Sequence, residues 1–354
     1  MPTIIYPPTI DFQWLFQRPQ QLLREMAGRG YKVVFFNHDN YYKQKESIIE
    51  VYPNFYLCTS ETTMEELPIK HPVILWISYP PHVEYIGRYQ EKLVVFDAID
   101  EASGEFAHWA GDLDRVAEKS DIILATARKL YDYHNAKQPN VHMCPNGADY
   151  KHFSQARSLF SPRPLDMPDN QRPNVGYFGA IAPWIDWELM DYVSERNRDL
   201  NFVMIGPLYG EFKDIVTADN IYYLGRKDYV ELPRYLQYFD VCIIPFKVTP
   251  MIEACNPIKM YEYLSAGKPV VTTDMPEVRN LAGVYVGKTN QEFNHYIQQA
   301  LWHKDDFTQK MARMKIARAN SWANRAKAAD EKIREILQSH SFIRTAQKHV
   351  RMSL

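Results

Sequence analysis

Short apolar runs alternate along this chain with longer amphipathic ones, and that alternation permits few folds. Runs such as Val73–Ile77, Leu93–Phe96 and Ile122–Ala125 are too brief for ordinary helices and show no polar face. Such runs become strands buried on both sides, and the amphipathic segments between them become the covering helices of a parallel sheet. In the first half the other strand candidates are Ile4–Tyr6, Lys32–Phe36 and Val141–Cys144, with helical periodicity in Leu15–Arg29, Asp112–Lys119 and Ala127–Asn135. Pro145-Asn146-Gly147 then marks a turn, and a polar, proline-rich passage from Ser161 to Pro173 reads as a linker. After it the pattern restarts. Asn174–Phe178, Phe202–Ile205, Ile221–Leu224, Val241–Pro245 and Pro269–Thr272 read as strands; Asp186–Arg196 and Tyr229–Tyr238 read as helices. From Asn290 to about Gln338 the chain is mostly helical, with a break at Asn320-Ser321.

A length of 354 residues exceeds one typical core, so two domains are expected. The formal net charge of −2 gives no argument for nucleic-acid binding. The charge is uneven, however, and the segment from residue 309 onward carries roughly eight more basic than acidic residues. That end suits either a solvated helical face or peripheral contact with an anionic membrane. The four cysteines, Cys58, Cys144, Cys242 and Cys255, form no close pairs, which indicates neither a disulfide framework nor a zinc site and suits a reducing cytoplasm. The amino end lacks the pattern of a signal peptide, and no apolar run approaches the ~20 residues that span a bilayer.

Asn256–Val271 carries the most chemistry. Asn256 suits an N-cap, Pro257 the first helical position, and Gly267 the left-handed carboxyl cap, with a strand opening at Pro269. A helix opened in this way presents free backbone N–H groups and a positive dipole end, which hold phosphate. Lys259 and Glu262 lie three apart and share a face near that end. One can neutralise a diphosphate while the other accepts hydrogen bonds from sugar hydroxyls.

The arrangement resembles glycosyltransferase family 4, whose members are retaining enzymes with the two-Rossmann GT-B fold. The segments that carry the resemblance are Phe16-Gln17-Arg18-Pro19, Pro145-Asn146-Gly147-Ala148-Asp149 with Phe153, Gly176-Tyr177-Phe178-Gly179, Leu224-Gly225-Arg226-Lys227 and Asn256–Val271. It runs over nearly the whole chain and is nearest to bacterial members that build cell-surface polysaccharides, including the teichuronic acid type. It implies an α/β fold of two doubly wound domains facing a cleft. Residues 1–160 would form the acceptor domain and 161–324 the donor domain, with a helix of about 325–354 packing back on the first. The implied activity is metal-independent, retaining hexosyl transfer without a cofactor. The expected donor is a UDP-sugar and the acceptor a saccharide or a lipid-linked saccharide, at the inner face of the cell membrane. The rival reading is a catalytically silent GT-B protein that binds sugar or acts as a scaffold.

Residue by residue, Glu262 matches the second glutamate of the family's paired-glutamate motif, which binds the nucleotide ribose. The first glutamate's position is Ala254, with Glu253 beside it. The segment after Gly179 lacks the family's basic pair, which leaves Arg226, Lys227 and Lys259 to meet the diphosphate, with Lys259 preferred. The expected donor-binding set is therefore Gly179, Arg226, Lys227, Asn256, Pro257, Ile258, Lys259 and Glu262. Arg226 and Lys259 also stabilise the leaving group. In the first domain, Asp97, Asp100 and Glu101 follow a strand where many family members carry a histidine beside the reacting sugar. Asp100 is the expected proton acceptor, with Asp97 and Glu101 on the acceptor side; the competing reading is that these carboxylates cap the next helix. Arg18 either binds a phosphate, with Trp14 and Phe16 lining an acceptor groove, or pairs with a carboxylate while the aromatics pack in the core. Trp184 and Trp187 either stack on sugar or pack on the sheet. Asp112-Leu113-Asp114 reads as a solvated face, and His38 and His82 as structural.

Overall fold

The computed structural model describes residues 1–38, 44–158, 162–210, 215–279 and 281–352, with side chains described through residue 339. Ser161, where the expected linker and second domain begin, lies outside the described residues. The chain divides into two compact units, Met1–Pro145 with Trp322–Leu354, and Asn146–Ser321.

In the first unit the described residues form an eight-stranded sheet of order β3-β4-β2-β1-β5-β6-β7-β8. The strands are β1 (Thr3–Tyr6), β2 (Lys32–Phe36), β3 (Ile48–Tyr52), β4 (Phe55–Cys58), β5 (Val73–Ile77), β6 (Leu93–Ala98), β7 (Ile122–Ala125) and β8 (Val141–Met143). All pairings are parallel except β3 with β4. β1, β5, β6 and β7 are buried at every position, because helices cover both faces. The β3–β4 hairpin is absent from the sequence reading. Its turn is Pro53-Asn54, with Asn54 at φ 65°, and β3 alternates between half-buried and exposed as an edge strand does.

Helix α1 spans Arg18–Gly28, not Leu15–Arg29. Proline has no N–H to give to the carbonyl four residues back, so Pro19 must lie in the first turn and the helix cannot start at Leu15. Leu22, Leu23 and Met26 of α1 are fully buried, each contributing about 1.5–3 kcal/mol. Helices α2 (Ala110–Lys119) and α3 (Arg128–Asn135) follow on this unit.

The second unit holds a six-stranded, wholly parallel sheet of order β11-β10-β9-β12-β13-β14. Its strands are β9 (Asn174–Phe178), β10 (Asn201–Ile205), β11 (Ile221–Tyr223), β12 (Val241–Ile244), β13 (Val270–Thr273) and β14 (Val284–Gly287). Around it lie α4 (Tyr150–Phe153), α5 (Trp187–Arg196), α6 (Leu232–Leu236), α7 (Pro250–Glu253), α8 (Ile258–Ser265), α9 (Asn290–Trp302) and α10 (Phe307–Ala319). The expected helix Tyr229–Tyr238 is a 3₁₀ turn, Tyr229–Glu231, followed by the short α6, since Pro233 also requires a first turn. Strand order reverses beside β1 in one sheet and beside β9 in the other, which is the doubly wound pattern.

The last helix, α11 (Trp322–Met352), returns to the first unit. Asp330 on it accepts from Tyr31 Oη at 2.6 Å and from Arg29 Nη2 at 2.7 Å, and Ile333 is fully buried. No described helix is long and apolar enough to cross a membrane.

Candidate active site

Helix α8 starts at Ile258, with Pro257 rather than Asn256 at the N-cap position and no side-chain cap. This corrects the expected role of Asn256. A capping asparagine turns its Oδ1 back onto the first helical turn, but here that atom accepts from the Asn146 backbone N–H at 3.0 Å. The Asn256 carbonyl accepts from Asn146 Nδ2 at 2.6 Å, and its own Nδ2 lies 3.4 Å from both Tyr261 Oη and Glu277 Oε2. The first turn of α8 is thus left uncapped with its positive end available to an anion. At the other end Gly267, at φ 74°, terminates the helix as expected.

Lys259 lies in that first turn, half-buried, its Nζ 4.6 Å from the Phe246 ring centroid and 5.4 Å from that of Tyr177. Burial lowers its pKa, while Cys255 and Glu262 pull it back up. Its side chain runs over Gly179, where a Cβ would stand 2.8 Å from Lys259 Cε and 3.3 Å from Nζ. The structure therefore brings together Gly179 and Lys259, which are 80 apart in sequence. Gly206 was missed in the sequence. A Cβ there would stand 1.8 Å from the Gly179 carbonyl oxygen, and its N–H donates to Gly225 O at 3.0 Å. Its only signal was a glycine-proline step directly after an apolar run. Glycines 179, 206 and 225 thus join the carboxyl ends of β9, β10 and β11, beside the reversal of strand order where such sheets bind ligands.

Glu262, one turn along α8, is 6% exposed and makes no hydrogen bond among the described residues. Burial pushes its pKa up to about 8; Lys259 opposes that rise and Asp149 adds to it. A buried carboxyl without a hydrogen-bond partner among the described residues is costly, so this group points to a ligand that would satisfy it. Ala254 is fully buried and Glu253 is exposed, so position 254 offers no carboxylate.

The other donor-side candidates divide. Arg226 is exposed on the loop after β11. Lys227 is engaged instead with Asp166 at 2.7 Å, over the Tyr235 ring, and Tyr235 Oη donates to the same carboxylate at 3.0 Å. Trp184 and Trp187 are half-buried, with Tyr209 and Tyr223 as ring neighbours.

In the first unit Arg18 is 3% exposed and Asp97 1% exposed. Arg18 Nε lies 3.0 Å from both Asp97 oxygens and Nη2 lies 2.7 Å from Oδ1. Trp76 Nε1 donates to Asp97 Oδ2 at 3.2 Å, and Arg18 Nη1 to Pro145 O at 3.4 Å. Of the two readings of Arg18, this is the carboxylate pair. Asp100, two residues beyond β6, is half-buried, and burial raises its pKa to about 6 against the pull of Arg18. Glu101 pairs with Lys129 at 2.6 Å. The following 3₁₀ turn is capped at Ser103, without a side-chain bond, so none of these carboxylates is its cap. Trp14 is half-buried in a turn whose N–H donates to Asp11 O. Asp112 and Asp114 pair with Arg115 and Lys137 on the surface, and no group of metal ligands occurs among the described residues. His82 is buried, its pKa pushed down to about 4 chiefly by that burial.

Residues 172–303 match the family described as glycosyl transferases group 1. Over 273 residues, 70% of this chain and 68% of the relative, the chain is 25% identical to the putative teichuronic acid biosynthesis glycosyltransferase TuaH of Bacillus subtilis. Sucrose-phosphate synthase from Thermosynechococcus elongatus superposes with a TM-score of 0.75 at 14% identity, covering 96% of this chain and 100% of that one. Anabaena HepE, solved with UDP-glucose, gives a TM-score of 0.67 at 14% identity over 95% of this chain and 100% of its own. Trehalose-6-phosphate synthase of Burkholderia multivorans gives 0.66 at 10% identity over 96% and 99%. The two doubly wound sheets are those of GT-B structures, as expected. Residues 172–303 accordingly belong to the group 1 glycosyl transferases, and the chain is a GT-B protein distantly homologous to the putative teichuronic acid glycosyltransferase TuaH.

Proposed function

We propose that the chain is a retaining glycosyltransferase that moves a hexosyl group from a nucleotide-diphosphate sugar, a UDP-sugar first among candidates, to a saccharide or lipid-linked acceptor. The observation that carries this reading is the pairing on α8 of an uncapped amino end and Lys259 with the buried carboxyl of Glu262, which has no hydrogen-bond partner among the described residues. The helix end and Lys259 suit a diphosphate, and Glu262 suits the ribose hydroxyls one turn away. HepE is solved with UDP and with UDP-glucose, which supports the same class of donor here. The kinship with TuaH supports an acceptor in cell-surface polysaccharide synthesis. Contact of the basic carboxyl-terminal segment with the inner membrane face belongs to the same reading.

In this mechanism the sugar leaves its diphosphate as the acceptor hydroxyl attacks from the same face. The protein's task is to position the reactants and to stabilise charge on the leaving group. Lys259, Arg226 and the first N–H groups of α8 supply that stabilisation without a metal. Asp100 receives the acceptor proton, since a carboxylate with a pKa of about 6 is ionised at neutral pH yet basic enough to serve. Asp97 acts indirectly, by holding Arg18. A silent, sugar-binding GT-B protein is the second reading, favoured by the buried alanine at position 254. Calorimetry with UDP and GDP, followed by UDP-sugar hydrolysis in EDTA, separates them. Binding with turnover supports the transferase, binding without turnover the silent protein, and no binding refutes both.

A further inference from the structure

The donor helix does not hold its own amino end in place. The residue before it, Pro257, carries no N–H, and the first turn has no side-chain cap, so the approach to the helix is fixed from elsewhere. The partner is Asn146, 110 residues earlier. Its backbone N–H and its side-chain amide both donate to Asn256, one to Oδ1 at 3.0 Å and the other to the carbonyl oxygen at 2.6 Å. Asn256 is 3% exposed and Asn146 half-buried, so this amide pair is partly shielded from competing water. Its remaining donor, Nδ2, faces Tyr261 on α8 and Glu277 beyond β13.

The segment carrying Asn146 is itself anchored within the second unit. Ala148 N donates to Asn320 O at 3.1 Å and bridges to Ser321. Asp149 caps α4 by accepting from His152 N at 3.0 Å, and its charge raises the pKa of Glu262. Residues 146–149 therefore bear on the helix at two points: Asn146 bonds the entry to its amino end, and the charge of Asp149 acts on the carboxyl one turn along.

We propose that Asn146 is a positioning residue for the donor site, orienting the first-turn N–H groups of α8 and Lys259 toward the diphosphate through its double hydrogen bond to Asn256. The proposal rests on the donor-site reading above and assigns to the segment Asn146–Asp149 a role in that site. Asn146 acts through Asn256 and needs no contact with the ligand. Without its amide the Asn256 carbonyl is left buried and unpaired, and the backbone entering α8 is free to rotate.

The test is UDP binding by calorimetry to wild type, Asn146→Ala, Asn256→Ala and the double variant, each with its thermal midpoint. Asn201→Ala is the control. Asn201 is fully buried in an amide network with Asn170 and Asn174 at the opposite, amino-terminal edge of the same sheet, so its loss costs stability without touching α8. Asn170→Ala replaces it should that variant not fold, and Asn146→Ser replaces Asn146→Ala on the same ground. The expected result is a loss of UDP affinity of roughly tenfold in Asn146→Ala, which loses the bond to the Asn256 carbonyl, a further loss in the double variant, which also loses the bond to Oδ1, and unchanged affinity in the control at a comparable loss of stability. Asn146→Ala that is less stable but binds UDP as wild type does overturns the proposal. So does a loss of UDP affinity in the control as large as that in Asn146→Ala, which would make the effect one of stability alone. Wild type that binds neither UDP nor GDP overturns instead the donor-site reading on which it stands.

Discussion

Replacing Glu262 by glutamine should alter how stability depends on pH. The folded-state pKa of about 8 lies well above the ordinary 4.5, because burial raises it more than Lys259 lowers it, with Asp149 adding to the rise. Folding therefore takes up a proton between those two values. The stability contribution of the neutral carboxyl is complete below pH 4.5 and is lost as pH rises through 8. At ~1.4 kcal/mol per pKa unit, a rise of this size sets an upper bound of about 5 kcal/mol, and relaxation of the site reduces it to a few. Glutamine carries the shape of the neutral form and has no proton to lose. Urea unfolding of wild type and Glu262→Gln at pH 5, 6.5 and 8.5 reads the difference directly. The two proteins should be of similar stability at pH 5, and the variant the more stable by pH 8.5. Parallel pH profiles would refute the reasoning, since they would mean that Glu262 already has a partner and is not held ready for a ligand.

Lys259→Ala should lower the rate of transfer roughly a hundredfold, the order expected when one group stabilising leaving-group charge is lost, with little change in thermal midpoint. Steady-state kinetics on the folded variant check this. Asp100→Asn should abolish transfer while leaving UDP affinity unchanged, and any residual kcat/KM should lack the acid limb near pH 6 that wild type shows. Asp97→Ala removes the carboxylate paired with the buried Arg18 and should cost about 3–5 kcal/mol in urea unfolding. Lys227→Ala breaks only a half-exposed pair with Asp166 and should change nucleotide affinity little, as calorimetry can show.

Much of this fold was legible because parallel strands covered on both faces must be continuously apolar. Val73–Ile77, Ile122–Ala125 and Asn174–Phe178 stand in the structure at the bounds read from the sequence. The same criterion hid the edges. β3 and β14 are half-buried, and their mixed composition resembles that of loops. Helix starts were misread where proline's local constraint was underweighted, at Pro19 and Pro233.

In the site, Lys259, Glu262 and Gly267 followed from helix periodicity and capping within one short segment. Asn256 did not, because a residue 110 positions away competes for its side chain. The Arg18–Asp97 pair spans 79 positions, so local spacing could offer the arginine either a phosphate or a carboxylate without choosing. The lack of a hydrogen-bond partner for Glu262 among the described residues is likewise a property of three-dimensional packing, invisible in any window of sequence.

The most direct test of the central claim is a crystal structure of the protein with UDP. The diphosphate should lie at the amino end of α8, within hydrogen-bond distance of its first backbone N–H groups and of Lys259 Nζ, with the ribose hydroxyls on Glu262. UDP bound elsewhere, with Glu262 still unpartnered, would contradict the account.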